Sequence, residues 1–154
     1  MEEYKLFKPT LLDIVNMQNL VQIDVDNGNI LQRDPNEMAT TIRSYTCVKI
    51  NGEIVGFAAL HIYTTTLAEI RSLIVDKRYR GKGIAKQLIL NALTEAKTFN
   101  LKKVLVLTYK KELFQSLGFE EIAKESIPET KIWADCIKCK HFPICDEISL
   151  TITI

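Results

Sequence analysis

The sequence predicts an α+β fold of mixed α/β character, in which a central, mostly antiparallel sheet carries helices on both faces to make three layers. Three observations support this expectation. Residues 45–75 hold three β-rich runs in succession, the first two joined by Asn51-Gly52, the strongest short hairpin signal. A long amphipathic helix pattern then leads into an almost wholly apolar run at 104–108, as expected for a crossover into a parallel strand. The last seven residues, Ile148-Ser149-Leu150-Thr151-Ile152-Thr153-Ile154, alternate apolar and polar without a break and read as a half-buried strand.

Taken in order, residues 4–8 read as a short strand, and Thr10 with Asp13 can cap a helix that carries Leu11, Ile14, Val15 and Val21 on one side. Asp34 and Pro35 form an N-cap and first-turn pair, with Glu37 three residues after the cap and Met38, Ile42 and Tyr45 continuing a helical stripe. Strands are predicted at 45–50, 53–63 and 67–75, the third following a threonine turn. Ile84, Leu88, Ala92 and Ala96, flanked by Ala85, Ile89, Leu93 and Phe99, give the next helix a wide apolar face to about residue 99. After the strand at 104–108, a short helix at 110–117 stops at Gly118, and a strand follows at 119–124. The terminal strand is expected to be exposed and able to pair between chains, which would allow a homodimer.

At 154 residues with 47% hydrophobic composition, the chain has the size and make-up of one globular domain, 1–154. Its net charge of +1, with no long block of either sign, excludes the broad basic footprint of a nucleic-acid binder, so any anion site is local. The acidic start, MEEYKLFKPT, does not resemble a secretory signal, and no run of 18 apolar residues occurs. A cytoplasmic protein with no nucleic-acid or membrane partner is expected. In that reducing setting Cys47, Cys136, Cys139 and Cys145 are expected as thiols or metal ligands rather than disulfides.

The chemistry concentrates in Arg78-Tyr79-Arg80-Gly81-Lys82-Gly83-Ile84-Ala85, between a predicted strand and a predicted helix. A strand-to-helix turn exposes first-turn N–H groups at the positive end of the helix dipole, and two glycines permit close approach. With Arg78, Arg80 and Lys82 around it, the loop suits a diphosphate; the alternative is a glycine-rich turn with solvated basic residues.

Arg-x-x-Gly-x-Gly in this position, preceded by Arg71-Ser72-Leu73-Ile74-Val75 and followed by Leu117-Gly118-Phe119, resembles the GNAT superfamily of acetyl-CoA-dependent N-acetyltransferases. The resemblance spans residues 4–124 and the last strand. It implies acetyl-CoA as co-substrate, held at the diphosphate by the backbone of Arg78, Arg80, Gly81, Lys82, Gly83, Ile84 and Ala85. It also implies pairing of pantetheine with Leu73, Ile74 and Val75. Within the superfamily, Gly28-Asn29-Ile30-Leu31-Gln32-Arg33, the stretch from Ala68 to Val75, and Val106-Leu107-Thr108-Tyr109 look like the acetyltransferase domain of N-acetylglutamate synthases. This implies a small amine acceptor, glutamate or a similar acidic amino acid, and a place in arginine biosynthesis. Other amines, such as a polyamine or a protein N-terminus, and a non-catalytic acyl-CoA sensor remain the alternatives.

Amine acetylation needs a base for the ammonium proton, a stabilised thioester oxygen and, in some enzymes, an acid for the departing thiolate. Glu69 is the candidate base; in an ideal strand it shares a face with Arg71 and Leu73, while a bulge would change that register. The superfamily's usual acid is a tyrosine where this chain has Phe114, which leaves Thr108 and Tyr109 as candidates. Arg33 and Arg71 are the candidate grips for the acceptor carboxylate, with surface ion pairs as the alternative. His61 reads as a strand side chain, and Trp133 as a residue packed at the edge of the core. Cys136, Cys139, His141 and Cys145 fall within ten residues, too cramped for the usual spacing of zinc ligand pairs. No metal is therefore assigned there; loop cysteines are the principal reading, with metal binding or a redox switch as alternatives.

Overall fold

A computed structural model describes residues 4–28, 33–123, 126 and 147–154. Its strands are β1 (Lys5–Phe7), β2 (Tyr45–Ile50), β3 (Glu53–Ile62), β4 (Leu67–Val75), β5 (Lys103–Thr108), β6 (Glu120–Ile122) and β7 (Ile148–Thr153). The helices are α1 (Ile14–Asp26), α2 (Pro35–Thr40), α3 (Ile84–Thr98) and α4 (Lys111–Ser116). The strands form one sheet in the order β1-β2-β3-β4-β5-β7-β6, antiparallel throughout except for the parallel pair β4–β5. This is the mixed, mostly antiparallel sheet expected.

Local chemistry explains many of the boundaries. Asn51 and Gly52 both take positive φ, at 52° and 77°, so the two-residue turn twists with its strands and closes the β2–β3 hairpin. Asp34 Oδ1 accepts from the N–H groups of Asn36 and Glu37, while Glu37 accepts from the Asp34 N–H, so α2 starts on a complete capping box. Thr64 Oγ1 accepts from the N–H groups of Thr66 and Leu67, which shapes the turn between β3 and β4.

The layers follow from the two sheet faces. On one, α3 buries Ile84, Leu88, Ile89, Ala92, Leu93 and Ala96 against residues that include Ile70, Val75, Val104, Val106 and Leu150. Each large apolar side chain withdrawn in this way contributes about 1.5–3 kcal/mol, so docking rather than intrinsic propensity holds the helix. On the other face, Ile14 and Met17 of α1 and Met38 of α2 pack with Tyr45, Cys47, Phe57 and Ile74.

Three expectations change. Leu11 and Val15 do not share the buried stripe of α1 and are exposed. Leu11 lies in a 3-10 turn before the helix, and Val15 sits about 100° round from Ile14, whose line continues through Met17 and Val21. Tyr45 does not extend the helical stripe of α2 but opens β2, although its ring still reaches the same cluster. The terminal strand is not the sheet edge among the described residues: β7 pairs with β5 along its length and with β6 at Ser149, Leu150 and Thr151.

Candidate active site

The site is organised by an irregularity in β4. Across the β3–β4 ladder Phe57 pairs with Ile74 and Ala59 with Arg71, so Ser72 and Leu73 oppose Ala58 alone. Ser72 takes φ 58°, the left-handed region that a serine enters at a cost of about 1–2 kcal/mol. This is a β-bulge, and it exchanges the faces of the strand. Before it, Ala68 and Ile70 point towards α3; after it, Leu73 packs on the α3 side and Ile74 joins the α1–α2 cluster. Glu69 and Arg71 therefore keep a common face, whereas Leu73 does not share it.

A second feature is the divergence of β4 from β5. Their parallel ladder covers Leu67 with Lys103, Ala68 with Val104 and Glu69 with Leu105, although β4 runs on to Val75 and β5 to Thr108. Among the described residues the two strands thus part at Glu69, and the later backbone of β4 faces the opening. Glu69 sits at the apex of this V, 2% exposed, and its Oε1 accepts a hydrogen bond from the Tyr63 hydroxyl at 2.7 Å. Burial of a carboxylate this deep is costly without such partners. Tyr63 escapes sequence reasoning because the threonine turn brings it next to Glu69, and nothing in a tyrosine six residues upstream announces that contact.

Arg33 and Arg71 converge from distant parts of the chain. The Nε atoms of both are buried. Both charges act on the Tyr45 phenol, whose pKa is nevertheless raised, chiefly by burial, against the lowering influence of Arg33, Arg71 and a hydrogen bond with Thr41. Arg33 also lines a cavity of about 170 Å³ with Gln18, Tyr45, Phe57 and Ser72, and its backbone carbonyl accepts from Gln18 Nε2 at 3.2 Å. Arg71 and Glu69 are not among the residues lining that cavity.

At the far end of β4, Gly81 and Gly83 hold φ 79° and 81°, and Gly83 is the residue before the first turn of α3. The first intrahelical bond runs from Gln87 N–H to the Gly83 carbonyl, so the N–H groups of the preceding turn point out of the helix into the loop. A Cβ at Gly81 or Gly83 would meet no protein atom within 4 Å, so backbone conformation rather than crowding calls for glycine there. Arg80 donates from Nε to the Val75 carbonyl at 3.2 Å, which folds its side chain back along the end of β4. Arg78 is differently engaged: its guanidinium donates to Glu53 and Asp76, and its own N–H to Asp76 Oδ1. That hydrogen-bonded guanidinium holds the Asp76 carboxyl below its usual range. Exposed Lys82 stands near the Tyr79 ring, 5.7 Å from its centroid. The parted strands, left-handed glycines and outward-pointing N–H groups fit a diphosphate joined to an extended, amide-bearing arm.

Thr108 and Tyr109 end β5 on the opposite arm of the V. Thr108 Oγ1 accepts from the Lys110 N–H at 2.9 Å, which leaves the hydroxyl proton available to donate, and Tyr109 is 44% exposed. Phe114 is a core residue, packed edge-to-face on Phe119 with centroids 5.2 Å apart. His61 pairs with Glu69 across the β3–β4 ladder and meets the Tyr63 ring edge-on at 4.7 Å. Cys47 is buried, which pushes its thiol up to about 12. Trp133, Cys136, Cys139, His141 and Cys145 lie outside the described residues; among the described ones no group of His, Cys, Asp and Glu could hold a metal ion. Among them, too, no helix is long and apolar enough to cross a membrane.

Comparison with known proteins agrees with this geometry. Residues 14–119 match the Acetyltransferase (GNAT) family. An uncharacterized N-acetyltransferase of Chlorobaculum tepidum is 33% identical over 144 residues, covering 94% of this chain and 92% of the relative. An amino-acid acetyltransferase of Mycobacterium tuberculosis is 39% identical over 79 residues, a match that spans 51% of this chain and 44% of that protein. In fold, the chain resembles N-acetylglutamate synthase of Neisseria gonorrhoeae complexed with coenzyme A and N-acetyl-glutamate, with TM-score 0.85, 17% identity, and coverage of 98% of this chain but 35% of the synthase. A Mycobacterium tuberculosis protein in complex with CoA gives TM-score 0.80 at 21% identity, over 97% of this chain and 99% of the other. The chain belongs to the GNAT family, as an N-acetyltransferase that takes acetyl-CoA as its co-substrate.

Proposed function

We propose that residues 1–154 work as one acetyltransferase domain and that the acceptor is the α-amino group of L-glutamate or a similar acidic amino acid. The observation that carries this reading is the pair Arg33 and Arg71, two half-buried cations whose charges both reach Tyr45, with Arg71 on the same face of β4 as Glu69. A carboxylate entering a partly dry cleft loses several kcal/mol of hydration unless a cation meets it, and a planar guanidinium meets it through two parallel hydrogen bonds. Partial similarity to amino-acid acetyltransferases supports the same class of acceptor.

In this mechanism Glu69 accepts the proton of the substrate ammonium, directly or through water, and so frees the nitrogen lone pair. Arg33 and Arg71 hold the carboxylates and orient that nitrogen towards the apex of the V. Acetyl-CoA, when bound, supplies the acetyl group as a thioester. The N–H groups from Gly81 to Ala85 hold its diphosphate, Arg80 and Lys82 screen the charge, and Leu73, Ile74 and Val75 offer backbone hydrogen bonds to the pantetheine amides. The new C–N bond forms as the C–S bond breaks, and the second proton that the nitrogen sheds reaches the departing thiolate by way of the Thr108 or Tyr109 hydroxyl, which gives one proton to the sulfur as it takes up the other.

An acceptor screen tests the reading. Thiol release from acetyl-CoA is measured with L-glutamate, L-aspartate, L-glutamine, spermidine and a protein N-terminal peptide. Fastest turnover with glutamate or aspartate is the expected result. A preference for the peptide or polyamine overturns the acidic acceptor, and no turnover with any amine favours a sensor.

A further inference from the structure

We infer that Tyr63 is a positioning residue for the acid–base step: its hydroxyl fixes the orientation of the Glu69 carboxylate and tunes its proton affinity. This rests on the reading of Glu69 as the base.

The Tyr63 hydroxyl donates to Glu69 Oε1 at 2.7 Å, the usual length of a well-formed hydroxyl hydrogen bond. It is a neighbour that the backbone enforces. The N–H groups of Tyr63 and Thr64 both donate to the Leu67 carbonyl, and Thr64 Oγ1 accepts from the Thr66 and Leu67 N–H groups. The Thr66 carbonyl in turn accepts from the N–H groups of Lys102 and Lys103, tying the turn to the start of β5. The ring is further bracketed by the edge-on imidazole of His61. Oε1 is thus fixed to the turn, and the orientation of the carboxylate at the apex is fixed with it.

Among the described residues, the other groups that titrate or carry charge beside Glu69 on the sheet are His61, its partner on β3, and Arg71, two residues along β4 on the same face; β5 presents Leu105. Neither His61 nor Arg71 lies in the turn that carries the hydroxyl, so deletion of that hydroxyl alone isolates its contribution. A bond donated to the ionised carboxylate favours that form, so removal raises the proton affinity of Glu69. The acid limb of the rate profile then moves to higher pH.

The experiment compares wild type, Tyr63→Phe, 3-fluorotyrosine at position 63 and Glu69→Gln, each checked for an unchanged melting temperature. Readouts are thiol release from acetyl-CoA with L-glutamate across pH, and the titration of the Glu69 carboxyl followed by ¹³C NMR of glutamate-labelled protein. For Tyr63→Phe we expect kcat about 5–20-fold lower at neutral pH, an unchanged KM for acetyl-CoA, and the acid limb and carboxyl titration both moved to higher pH. Fluorotyrosine, a stronger donor, is expected to restore kcat and shift both titrations the other way. A merely structural tyrosine would move the melting temperature and leave both titrations in place. Wild-type kcat and an unmoved carboxyl titration in Tyr63→Phe, with Glu69→Gln inactive, overturn the inference and leave Glu69 as the base. An active Glu69→Gln overturns the base itself, and the role of Tyr63 with it.

Discussion

On the near side of Ser72, β4 is clasped by β3 and by the first residues of β5, and what it offers to chemistry is side chains, a buried Glu69 and an Arg71 beside it. On the far side the ladder to β5 has ended among the described residues, and what the strand and the following loop offer is backbone, the amides of residues 73–75 and the N–H groups around Gly81 and Gly83. The contrast teaches how one bulge could serve the two substrates of the proposed mechanism. A strand held at both edges can bury and orient a single carboxylate; a strand released at one edge can bind an extended ligand by its peptide groups. The left-handed φ of Ser72 turns the later residues over, so the two functions do not compete for one face.

Five substitutions test this division, in order of expected effect. Glu69→Gln preserves volume and removes proton acceptance, so kcat/KM at pH 7 should fall by about 10²–10⁴-fold, with partial recovery at high pH as the amine arrives deprotonated. Activity equal to wild type at pH 7 would remove the side-chain role from the first half of the strand. Arg33→Met and Arg71→Met, assayed separately, should each raise the KM for glutamate by about 10–100-fold, or about 1.4–2.8 kcal/mol, with little change in acetyl-CoA affinity. A loss shared equally by both substrates would erase the distinction between the two halves.

Gly83→Val places a β-branched residue at φ 81°, and calorimetry should find coenzyme A binding weakened by about tenfold or more while circular dichroism stays native. Unchanged affinity in the folded variant would make the loop only a turn. Arg78→Ala sharpens the claim that backbone rather than every nearby cation holds the diphosphate. Because Arg78 is occupied by Glu53 and Asp76, coenzyme A affinity should stay within about twofold. The smallest response is expected from Cys47. With its thiol raised to about 12, the reactive thiolate is scarce at pH 8, so mass spectrometry after brief treatment with iodoacetamide should find that residue unmodified in the folded protein.

Legibility in the sequence tracks the range of the interaction. Asn51-Gly52, the Asp34-Pro35 cap and the apolar stripe from Ile84 to Ala96 each act over a few residues, and all appear where the pattern places them. The glycine loop before α3 is readable for the same reason, since a glycine pair between a strand and a helix specifies its own backbone. Leu73 is the counter-example: period-two alternation puts it beside Glu69 and Arg71, and the bulge at Ser72 sends it to the α3 side. Alternation assumes a regular ladder, and the shift between β3 and β4 is a property of two strands together.

By itself, then, the sequence determines the elements, the mixed sheet and the glycine loop, because each rests on local propensity or short-range periodicity; the candidate residues for amine acetylation are read through the resemblance to the acetyltransferase superfamily. Tertiary structure alone decides that β7 enters between β5 and β6, that the charges of Arg33 and Arg71 both reach Tyr45, and that the Tyr63 hydroxyl closes on Glu69. Strand order, register and side-chain convergence depend on contacts between segments that no local pattern encodes. Their energies are realised only when the whole sheet has formed.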